Sequence, residues 1–365
     1  MDKWNMVKLS DVFTLQMGKT PSRNNPDYWN GNHKWLSIAD FGMNGKYINK
    51  TKECITDAAV AESGIKATPH NTVVMSFKLS IGKTAITVKD IFTNEAIMSF
   101  IDKGTYPIDV NYIYHLFSGK DWSKGTNKAV MGTTLNKATL SQTTIPLPPI
   151  ESQYQIADNL EKVSKLIDIC NTILNKLDIL VKSRFVEMFG DPVKNTKHIK
   201  TKRGIEIFKL SNGKAVPVEK RFDQGIPAYG GNGISWYTNE ILAEQDTLVI
   251  GRVGFQSGNV HFARAPLWIT DNAMYISSLD NKCYDIIFLC ALMEHIDFTR
   301  YQDAGDLKKI TQKPFMNTEF IAPPIEMQKK YVSFVEQTDK SKLAVKQILE
   351  KAETLKKSLM QEYFG

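Results

Sequence analysis

The sequence predicts a mixed α/β (α+β) protein in which two globular domains of similar plan are separated by two long antiparallel helices. These helices are predicted to form a coiled coil and to give the chain pseudo-twofold symmetry. Three observations support this: a long internal repeat, a heptad pattern inside it, and a fainter likeness between the segments before each copy. With 365 residues, 42% of them hydrophobic, the chain is long enough for two or three domains.

The repeat begins with PPIESQ at residues 148–153 and returns as PPIEMQ at residues 323–328. Pro148 and Pro323 are 175 positions apart, and this spacing holds without a gap to the Phe-Gly pairs that end both copies. A repeat this long indicates a structural unit that is used twice.

Each copy predicts a long helix. In the first copy the apolar residues recur at alternating steps of four and three, which is typical of a coiled-coil seam. These seam residues are Ile156, Leu160, Val163, Ile167, Cys170, Leu174, Leu177 and Val181. The second copy keeps the seam more roughly, because Lys342 and Lys356 interrupt it. Pro148 and Pro149 favour an extended entry, and Gly190 is a natural helix stop.

Both helices also carry apolar residues beside the seam. The candidates for helix pairing or partner docking are Ile156, Leu166, Ile173, Leu180, Leu343, Ile348, Leu355 and Leu359. A pair of helices would leave part of this stripe in water. It therefore either covers the globular domains or receives helices of another protein, and the residues alone leave both readings open.

Helix length predicts the arrangement of the parts. A helix of about 40 residues is roughly 60 Å long, whereas a domain of about 130 residues has a radius of gyration near 14 Å and keeps its ends close together. The segment 191–322 must join the end of one helix to the start of the other, so the helices should be antiparallel. We therefore expect a first domain at 1–147, a helix at 148–190, a second domain at 191–322 and a helix at 323–365.

The two globular segments share a faint plan. The β-rich run at 72–75 lies 175 positions before the run at 247–250. Each is followed by a turn and a second β-rich run, at 84–88 and 259–263, which predicts a hairpin in each domain. Both domains are therefore expected to be mixed α/β, with one scaffold and different surfaces.

Several functional classes find no support. The apolar runs are too short to cross a bilayer, so we expect a cytoplasmic protein without a membrane partner. The four cysteines are scattered without metal-ligand spacing. Gly18-Lys19-Thr20 and Gly82-Lys83-Thr84 lack the leading glycine of a phosphate-binding loop. No nucleophile or zinc signature is present, so we expect no catalytic residue, no metal ligand and no cofactor in this chain.

One short motif keeps an enzyme alternative open. Amino methyltransferases that act on DNA use an Asn/Asp-Pro-Pro-aromatic loop, and Asn25-Pro26-Asp27-Tyr28 comes close to it. However, Asp27 stands where the second proline belongs, and no glycine-rich element for S-adenosylmethionine accompanies it. An adenine methyltransferase that uses Asn25–Tyr28 is thus the less favoured alternative.

Binding remains as the main function to consider. The net charge of +7 favours a polyanionic partner. Basic and amide side chains crowd turn-rich regions of both domains, and these side chains contact phosphates and base edges in DNA. The candidate DNA contacts are Lys19, Ser22, Arg23, Asn24, Lys78 and Lys83 in the first domain, and Lys214, Asn232, Arg252, Lys308 and Lys309 in the second.

The whole chain resembles the specificity (S) subunit of Type I restriction-modification systems. The likeness rests on the doubled PPIExQ-helix-FG element, on Gly18–Arg23 and Asn25–Trp29, and on Ile226–Gly233. The resemblance implies two target recognition domains, each reading half of a bipartite double-stranded DNA site. The helices would set the spacer and dock two methyltransferase (M) subunits.

The resemblance also implies partners that carry out the chemistry. The M subunits would bind S-adenosylmethionine and methylate adenine, and restriction/translocase (R) subunits would use ATP and Mg. From the residues alone, a stand-alone coiled-coil DNA-binding regulator remains the alternative. Such a regulator would bind its site without a second protein, whereas a methyltransferase would bind S-adenosylmethionine by itself.

Overall fold

The computed structural model describes residues 4–78, 80–122, 127–129, 132–305 and 308–364, and at 127–129 and 132–134 it describes the backbone. The chain folds into two compact units: unit 1 is Met1–Ile169 with Leu349–Gly365, and unit 2 is Cys170–Ile348. Both units contain strands and helices, which confirms the mixed α/β prediction.

Unit 1 is built around a mostly antiparallel sheet. Its strands are β1 (Met6–Lys8), β2 (Phe13–Met17), β3 (Trp29–Leu36), β4 (Tyr47–Ile48), β5 (Glu53–Ile55), β6 (Val73–Ser76), β7 (Thr84–Thr87), β8 (Phe92–Thr93), β9 (Ile97–Asp102), β10 (Asn127–Ala129), β11 (Gly132–Thr134) and β12 (Thr144–Pro146). Its helices are α1 (Leu9–Val12), α2 (Asp57–Ser63), α3 (Val110–Gly119), α4 (Lys137–Gln142) and the first part of α5 (Ile150–Phe189). The main sheet has the order β2-β9-β6-β7-β4, and a smaller one has the order β5-β3-β8.

An apolar core covers each face of the main sheet. Successive residues of a strand point to opposite faces and therefore belong to different cores. On β6, Val73 and Met75 belong to the larger apolar core, and Val74 between them belongs to a smaller one. The larger core is closed by α3, where the Phe117 ring lies 4.7 Å from the Phe100 ring. β6 is therefore the central buried strand of the unit.

Unit 2 repeats this plan with fewer residues. Its strands are β13 (Thr201–Arg203), β14 (Phe208–Asn212), β15 (Ile226–Gly230), β16 (Gly233–Thr238), β17 (Thr247–Gly251), β18 (Val260–Ala263), β19 (Trp268–Ile269), β20 (Ala273–Leu279) and β21 (Glu319–Ile321). Its helices are the second part of α5, α6 (Gly204–Ile207), α7 (Ile286–Glu294), α8 (Lys313–Asn317) and the first part of α9 (Ile325–Phe364). The sheet order β14-β20-β17-β18 matches β2-β9-β6-β7 of unit 1.

The predicted hairpins are confirmed, since β6 pairs with β7 and β17 pairs with β18, both antiparallel. The structural likeness between the two units also includes their N-terminal elements, which a fixed spacing of 175 positions does not align. The elements β1, α1 and β2 start 195 positions before β13, α6 and β14, whereas β6 starts 174 positions before β17. Unit 1 therefore has about 20 more residues between these points, in the stretch that holds α2 and β4, and this hides the N-terminal match.

The long helices have the predicted lengths and spacing. Each has 40 residues, and their bounds are 175 positions apart. Every predicted seam residue of α5 is buried or half-buried. α5 ends before Gly190, which has a φ of +74° as a left-handed helix cap. The corresponding Gly365 lies outside the described residues.

The two helices run antiparallel within each unit. In unit 2 the Phe185 ring lies 5.5 Å from the Tyr331 ring, while Asp178 pairs with Lys342 at 2.7 Å. The residue number thus rises along α5 as it falls along α9. In unit 1, Asn159 near the start of α5 donates a hydrogen bond of 3.3 Å to Tyr363 near the end of α9.

Lys342 occupies the seam position that the sequence marks as an interruption. Its side chain is 21% exposed, and its ammonium group lies 2.7 Å from Asp178 and 3.4 Å from Asp339. Burial alone would lower the pKa of Lys342, but the hydrogen bond and charge of Asp178 outweigh it and raise the pKa. A charged seam residue with a fixed partner favours one register over others.

The glutamine that ends the repeated hexapeptide fastens the first long helix to unit 1. Gln153 is fully buried. Its Oε1 accepts a bond of 2.9 Å from the Asp109 main-chain N–H, and its Nε2 donates to the carbonyls of Pro107 and Pro148 at 3.1 and 2.9 Å. Asp109 is in turn the N-cap of α3. The start of α5 is therefore tied to the start of α3.

Gln328 makes the same joint in unit 2. It is fully buried, and its Oε1 accepts a bond of 2.9 Å from the main-chain N–H of Asp285, the N-cap of α7. Its Nε2 donates to the carbonyls of Cys283 and Pro323, both at 2.8 Å. The repetition of PPIExQ is thus explained by one joint that is built twice.

A polar cluster links β4 to α5 in unit 1. Lys46, just before β4, pairs with Glu161 of α5 at 2.6 Å, and the His115 Nε2 atom lies 3.6 Å from the same carboxylate. His115 is buried. Burial, reinforced by the nearby positive charge of Lys46, lowers the pKa of His115 to about 4. The neutral imidazole is therefore the form that the folded unit accommodates.

This histidine should make the stability of unit 1 depend on pH. The folded pKa lies below the ordinary value of 6.5, so the unfolded chain binds more protons between these values, and stability falls as the pH is lowered from about 6.5 towards 4. Between pH 7 and pH 5 we expect a loss of about 2 kcal/mol from this group. Glu161, whose pKa is lowered by Lys46 against the effect of burial, adds a loss of the same sign below about pH 4.5.

Denaturant titrations at pH 7 and pH 5 would measure this loss. His115→Gln should remove about 2 kcal/mol of the pH dependence, whatever it does to stability at pH 7. His70→Gln removes an exposed imidazole from the same unit and controls for the substitution. Equal pH dependence in the wild type and His115→Gln would contradict the prediction.

Candidate nucleic-acid interface

In unit 1 the candidate lysines gather at one end of the main sheet. β2 ends at Met17 opposite Met98, and β6 ends at Ser76 opposite Ile97. The segment after β2 and the loop from β6 to β7 therefore leave the sheet at the same end. Lys19 follows β2, and Lys78 and Lys83 lie in the β6–β7 loop. Lys19 and Lys83 are exposed and Lys78 is half-buried.

Lys19 is held in place by its main chain. Its N–H donates to the Thr93 carbonyl at 2.8 Å, and its carbonyl accepts a bond of 3.1 Å from the Trp35 indole N–H. The preceding Gly18 has no room for a side chain, since a Cβ would lie 2.2 Å from the Thr93 oxygen. The Lys19 ammonium group donates to the carbonyl of Ser63.

Arg23 lies on an aromatic platform beside Lys19. Its guanidinium carbon is 3.8 Å from the Trp29 ring centroid and 4.9 Å from that of Trp35. It also forms a two-pronged pair with Glu53, at 2.5 and 3.0 Å. The hydrogen bond with Glu53 raises the pKa of Arg23 and lowers that of the Glu53 carboxyl group. Arg23 therefore orders this loop, and a phosphate would have to compete with Glu53 for it.

Ser22 and Asn24, on either side of Arg23, are exposed. The Asn25–Tyr28 motif that follows is engaged in local structure. Asn25 caps a 3-10 helix at Pro26–Tyr28 by accepting a bond of 3.1 Å from the Asp27 N–H, and Tyr28 donates its hydroxyl to Glu62 at 2.8 Å. The amide and aromatic groups that a methyltransferase would direct at its substrate are used as structural hydrogen-bonding groups.

Unit 2 collects its candidates at the corresponding sheet end. Lys214 follows β14 as Lys19 follows β2. Its N–H donates to the Ile269 carbonyl at 2.9 Å, and its carbonyl accepts a bond of 2.8 Å from the Trp268 indole. Gly213 before it is as confined as Gly18, because a Cβ would lie 2.0 Å from the Thr270 oxygen. The two units thus present one lysine each in the same main-chain setting.

Arg252, Lys308 and Lys309 meet where β17 ends. The Ile310 N–H donates to the Arg252 carbonyl at 3.0 Å, and the Gly254 N–H donates to the Lys308 carbonyl at 2.8 Å. Asn232, in the turn between β15 and β16, lies at the same end, since a Cβ on its neighbour Gly231 would be 3.2 Å from the Gly251 Cα. The structure therefore brings all five candidates of unit 2 together at one sheet end.

The helix candidates fall into two groups. Ile156 is buried in the core of unit 1, and Leu359 packs against that core. The other candidates are exposed, and they are Leu166 and Leu355 in unit 1, and Ile173, Leu180, Leu343 and Ile348 in unit 2. The first two residues serve internal packing, while the other six present apolar surface to solvent.

The sequence analysis missed two features of the structure, the buried glutamines of the repeat and an exposed phenylalanine. In the sequence, the buried Gln153 and Gln328 were visible only as the last residue of a repeated motif. A glutamine that recurs at the same position of two helix starts was the available signal that it has a structural role. Phe255, in the loop from β17 to β18, is 89% exposed. An aromatic residue inside a predicted turn, with glycines on both sides, was the available signal.

Two further features concern metals and membranes. In the described part of the chain, no three His, Cys, Asp or Glu side chains are grouped to hold a metal ion. Of the helices within those residues, none has the length and apolarity needed to span a membrane.

Comparison with known proteins defines the class. The family model described as Type I restriction modification DNA specificity domain matches residues 1–178 and 197–354. The chain therefore belongs to this family. It is a specificity subunit of a Type I restriction-modification system, and as such a non-catalytic component of that enzyme.

Particular relatives show how far the likeness extends. The EcoprrI specificity subunit of Escherichia coli is 24% identical over 342 residues, which cover 88% of this chain and 84% of that protein. The MjaIX specificity subunit of Methanocaldococcus jannaschii is 29% identical over 204 residues, covering 54% of this chain and 46% of that protein.

Solved structures support the fold. The S subunit of a Type I system from M. genitalium matches with a TM-score of 0.66 at 16% identity, covering 99% of this chain and 96% of that one. A chain from work on complex assembly and conformational transition of the type I R-M system matches with a TM-score of 0.62 at 14% identity, covering 100% and 98%.

Proposed function

We propose that this subunit reads a bipartite double-stranded DNA site, with one half-site for each globular domain. In this proposal residues 1–147 and 191–322 are the target recognition domains, and 148–190 and 323–365 set the unread spacer. The observation that carries it is the matching sheet end in units 1 and 2, where each unit gathers basic and amide side chains on loops. Such side chains position a protein on phosphates and read base edges.

The exposed apolar residues of the long helices form the proposed docking surface for two M subunits. Leu180 and Leu343 in unit 2 are 47% and 59% exposed. Apolar side chains at helical spacing are the usual anchors of a helix that packs against a partner. The chemistry then belongs to the partners: S-adenosylmethionine is bound by M, and ATP and Mg by R subunits, in the cytoplasm where the DNA lies.

A methylation map tests the proposal as a whole. Cells that express this chain with the M subunit encoded beside it would be compared with cells that lack this chain alone. We expect a new split motif, two short blocks with a fixed gap, that is modified only when the chain is present. Unchanged methylation, with M shown to be present and active, would contradict the proposal and favour a DNA-binding regulator.

Lys83 provides a test of the DNA surface. Lys83 and Lys89 flank β7 at its two ends, both are exposed, and only Lys83 lies at the candidate sheet end. We expect Lys83→Ala to weaken DNA binding by the assembled complex several-fold and to reduce the salt slope by about 1, because one phosphate contact is lost. Lys89→Ala should change neither. An unchanged slope for Lys83→Ala would remove Lys83 from the interface.

Leu180 provides a test of the docking surface. Leu180→Asp should lower the affinity for M at least tenfold, since a charge would be buried at an apolar contact. Asn175→Asp adds the same charge on an exposed position of α5, about 140° around the helix. Size-exclusion chromatography with M would measure both. Equal complex formation by the two variants would exclude this part of the helix from the docking surface.

A further inference from the structure

The loop between β17 and β18 presents an aromatic ring to solvent at the candidate DNA surface. Phe255 is 89% exposed, whereas Ile250 and Val260 at the ends of the flanking strands are buried. Single exposed apolar residues are common on protein surfaces, so exposure alone indicates little. The ordered loop that carries Phe255 and the basic residues beside it indicate a role for the ring.

The backbone that carries Phe255 is held firmly. Gly254 and Gly258 adopt φ values of +96° and +98°, which favour glycine, and so shape the turn. Hydrogen bonds close the loop on itself and join it to Gln302 and Lys308. They run from Gly254 N–H to Lys308 O at 2.8 Å, from Ser257 N–H to Gly254 O at 3.0 Å, from Gly258 N–H to Gly251 O at 2.8 Å, and from Gln302 Nε2 to Ser257 O at 2.7 Å. The ring thus projects from a preformed support.

Three basic residues, Arg252, Lys308 and Lys309, border this support. Arg252 begins the loop and donates to the main-chain carbonyl of Asp271 at 3.4 Å, while Lys308 donates to the main-chain carbonyl of Asp303 at 3.4 Å. Lys309 beside it is exposed. These cations bond main-chain oxygens, which leaves their charge available for phosphates. An aromatic ring framed by such cations is the combination that proteins use on DNA bases.

We infer that Phe255 is a base-stacking residue, whose ring inserts between neighbouring base pairs of the half-site read by unit 2. This rests on the proposed function. Apolar side chains that enter a base step unstack it and bend the duplex. Because the loop is already ordered, insertion carries little cost of loop ordering. Arg252, Lys308 and Lys309 hold the flanking phosphates.

Unit 1 has no aromatic residue at this place. The β6–β7 loop, residues 77–83, is one residue shorter than the β17–β18 loop, residues 252–259, and its sequence contains one aromatic residue, Phe77. The phenylalanine at the start of the loop, Phe77, is buried. Insertion of an aromatic ring is therefore expected in one half-site only, so that the two halves would differ in mechanism as well as in sequence.

Fluorescence of 2-aminopurine tests the inference. The subunit is assembled with M, and its site, found by the methylation map, is made with 2-aminopurine replacing each adenine in turn. With the wild type and Phe255→Trp we expect one signal in addition to those at the adenines that M methylates, because M itself flips its target base out of the stack. With Phe255→Ala we expect this additional signal to be lost and specific binding to be about ten- to a hundredfold weaker, with an unchanged salt slope. Phe222→Ala, which truncates another exposed phenylalanine of unit 2, should behave as the wild type.

The outcomes separate this inference from the proposed function. Wild-type affinity and signal for Phe255→Ala would overturn the inference, and so would weaker assembly of Phe255→Ala with M in the absence of DNA, which would make the ring a protein contact. Specific binding by the wild type with signals only at the adenines that M methylates would also overturn it, but would leave the proposed function intact. Absence of specific binding by the wild type would instead overturn the proposed function itself.

Discussion

Replacing Gln328 with alanine should lower the free energy of unfolding of unit 2 by about 3 kcal/mol. The side chain is fully buried and makes three hydrogen bonds to main-chain groups. Its removal would leave one N–H and two carbonyls without these partners in the interior, and each such loss costs about 1 kcal/mol or more. Denaturant unfolding of the whole subunit, with hydrogen exchange of the α7 amides, would measure the loss and place it.

Gln337→Ala is the matched control, because Gln337 is an exposed glutamine on the same helix. It should change stability by less than about 0.5 kcal/mol. If Gln328→Ala were equally mild, the joint would have to be held by packing around it. Gln153→Ala should have the same effect on unit 1 as Gln328→Ala on unit 2, since its three bonds have equivalent partners.

Replacing Gly213 with alanine should destabilise unit 2 by about 3 kcal/mol or more. The new Cβ would lie 2.0 Å from the Thr270 oxygen and 2.6 Å from the Ile269 oxygen, both main-chain atoms that cannot turn away. The strand end would have to move, and overpacking of this kind costs at least about 1–3 kcal/mol. The shift would also displace Lys214, so DNA binding should weaken together with stability.

Gly305→Ala is the control for this change, because a Cβ there meets no atom of the described residues within 4 Å. Thermal unfolding of both variants would show the difference directly. Gly18→Ala and Gly45→Ala form the equivalent pair in unit 1, with a blocked and an open position. Equal midpoints for Gly213→Ala and Gly305→Ala would show that the strand end is more yielding than its geometry indicates.

The sequence predicted the long helices well because their signals are local and repeated. A seam of alternating steps from Ile156 to Val181, prolines before it and a glycine after it define helix bounds without reference to the rest of the chain. The hairpins were predictable for the same reason. The N-terminal likeness between the units was not, because about 20 additional residues after β2 shift the spacing from 175 to 195.

The candidate DNA surface was only partly predictable. Residue type alone placed Lys214, Arg252 and Lys308 in the candidate set, but their meeting at one sheet end depends on strand order, which the sequence did not show. The environment of Arg23 also depends on residues distant in the chain, since Glu53 lies 30 positions away. Solvent exposure of Phe255 is likewise a property of the folded loop and has no counterpart in composition.

The two buried glutamines have a consequence for how such subunits change over time. Apart from the glutamine itself, the joint consists of main-chain atoms: an N–H that begins a helix and two carbonyls. Main-chain groups are the same in every sequence that follows the same path. A globular domain could therefore be replaced by a divergent one through recombination at the hexapeptide. The main chain of the new domain would supply the groups that the glutamine binds. Under the proposed function, such exchange would bring new DNA targets while the helices stay unchanged.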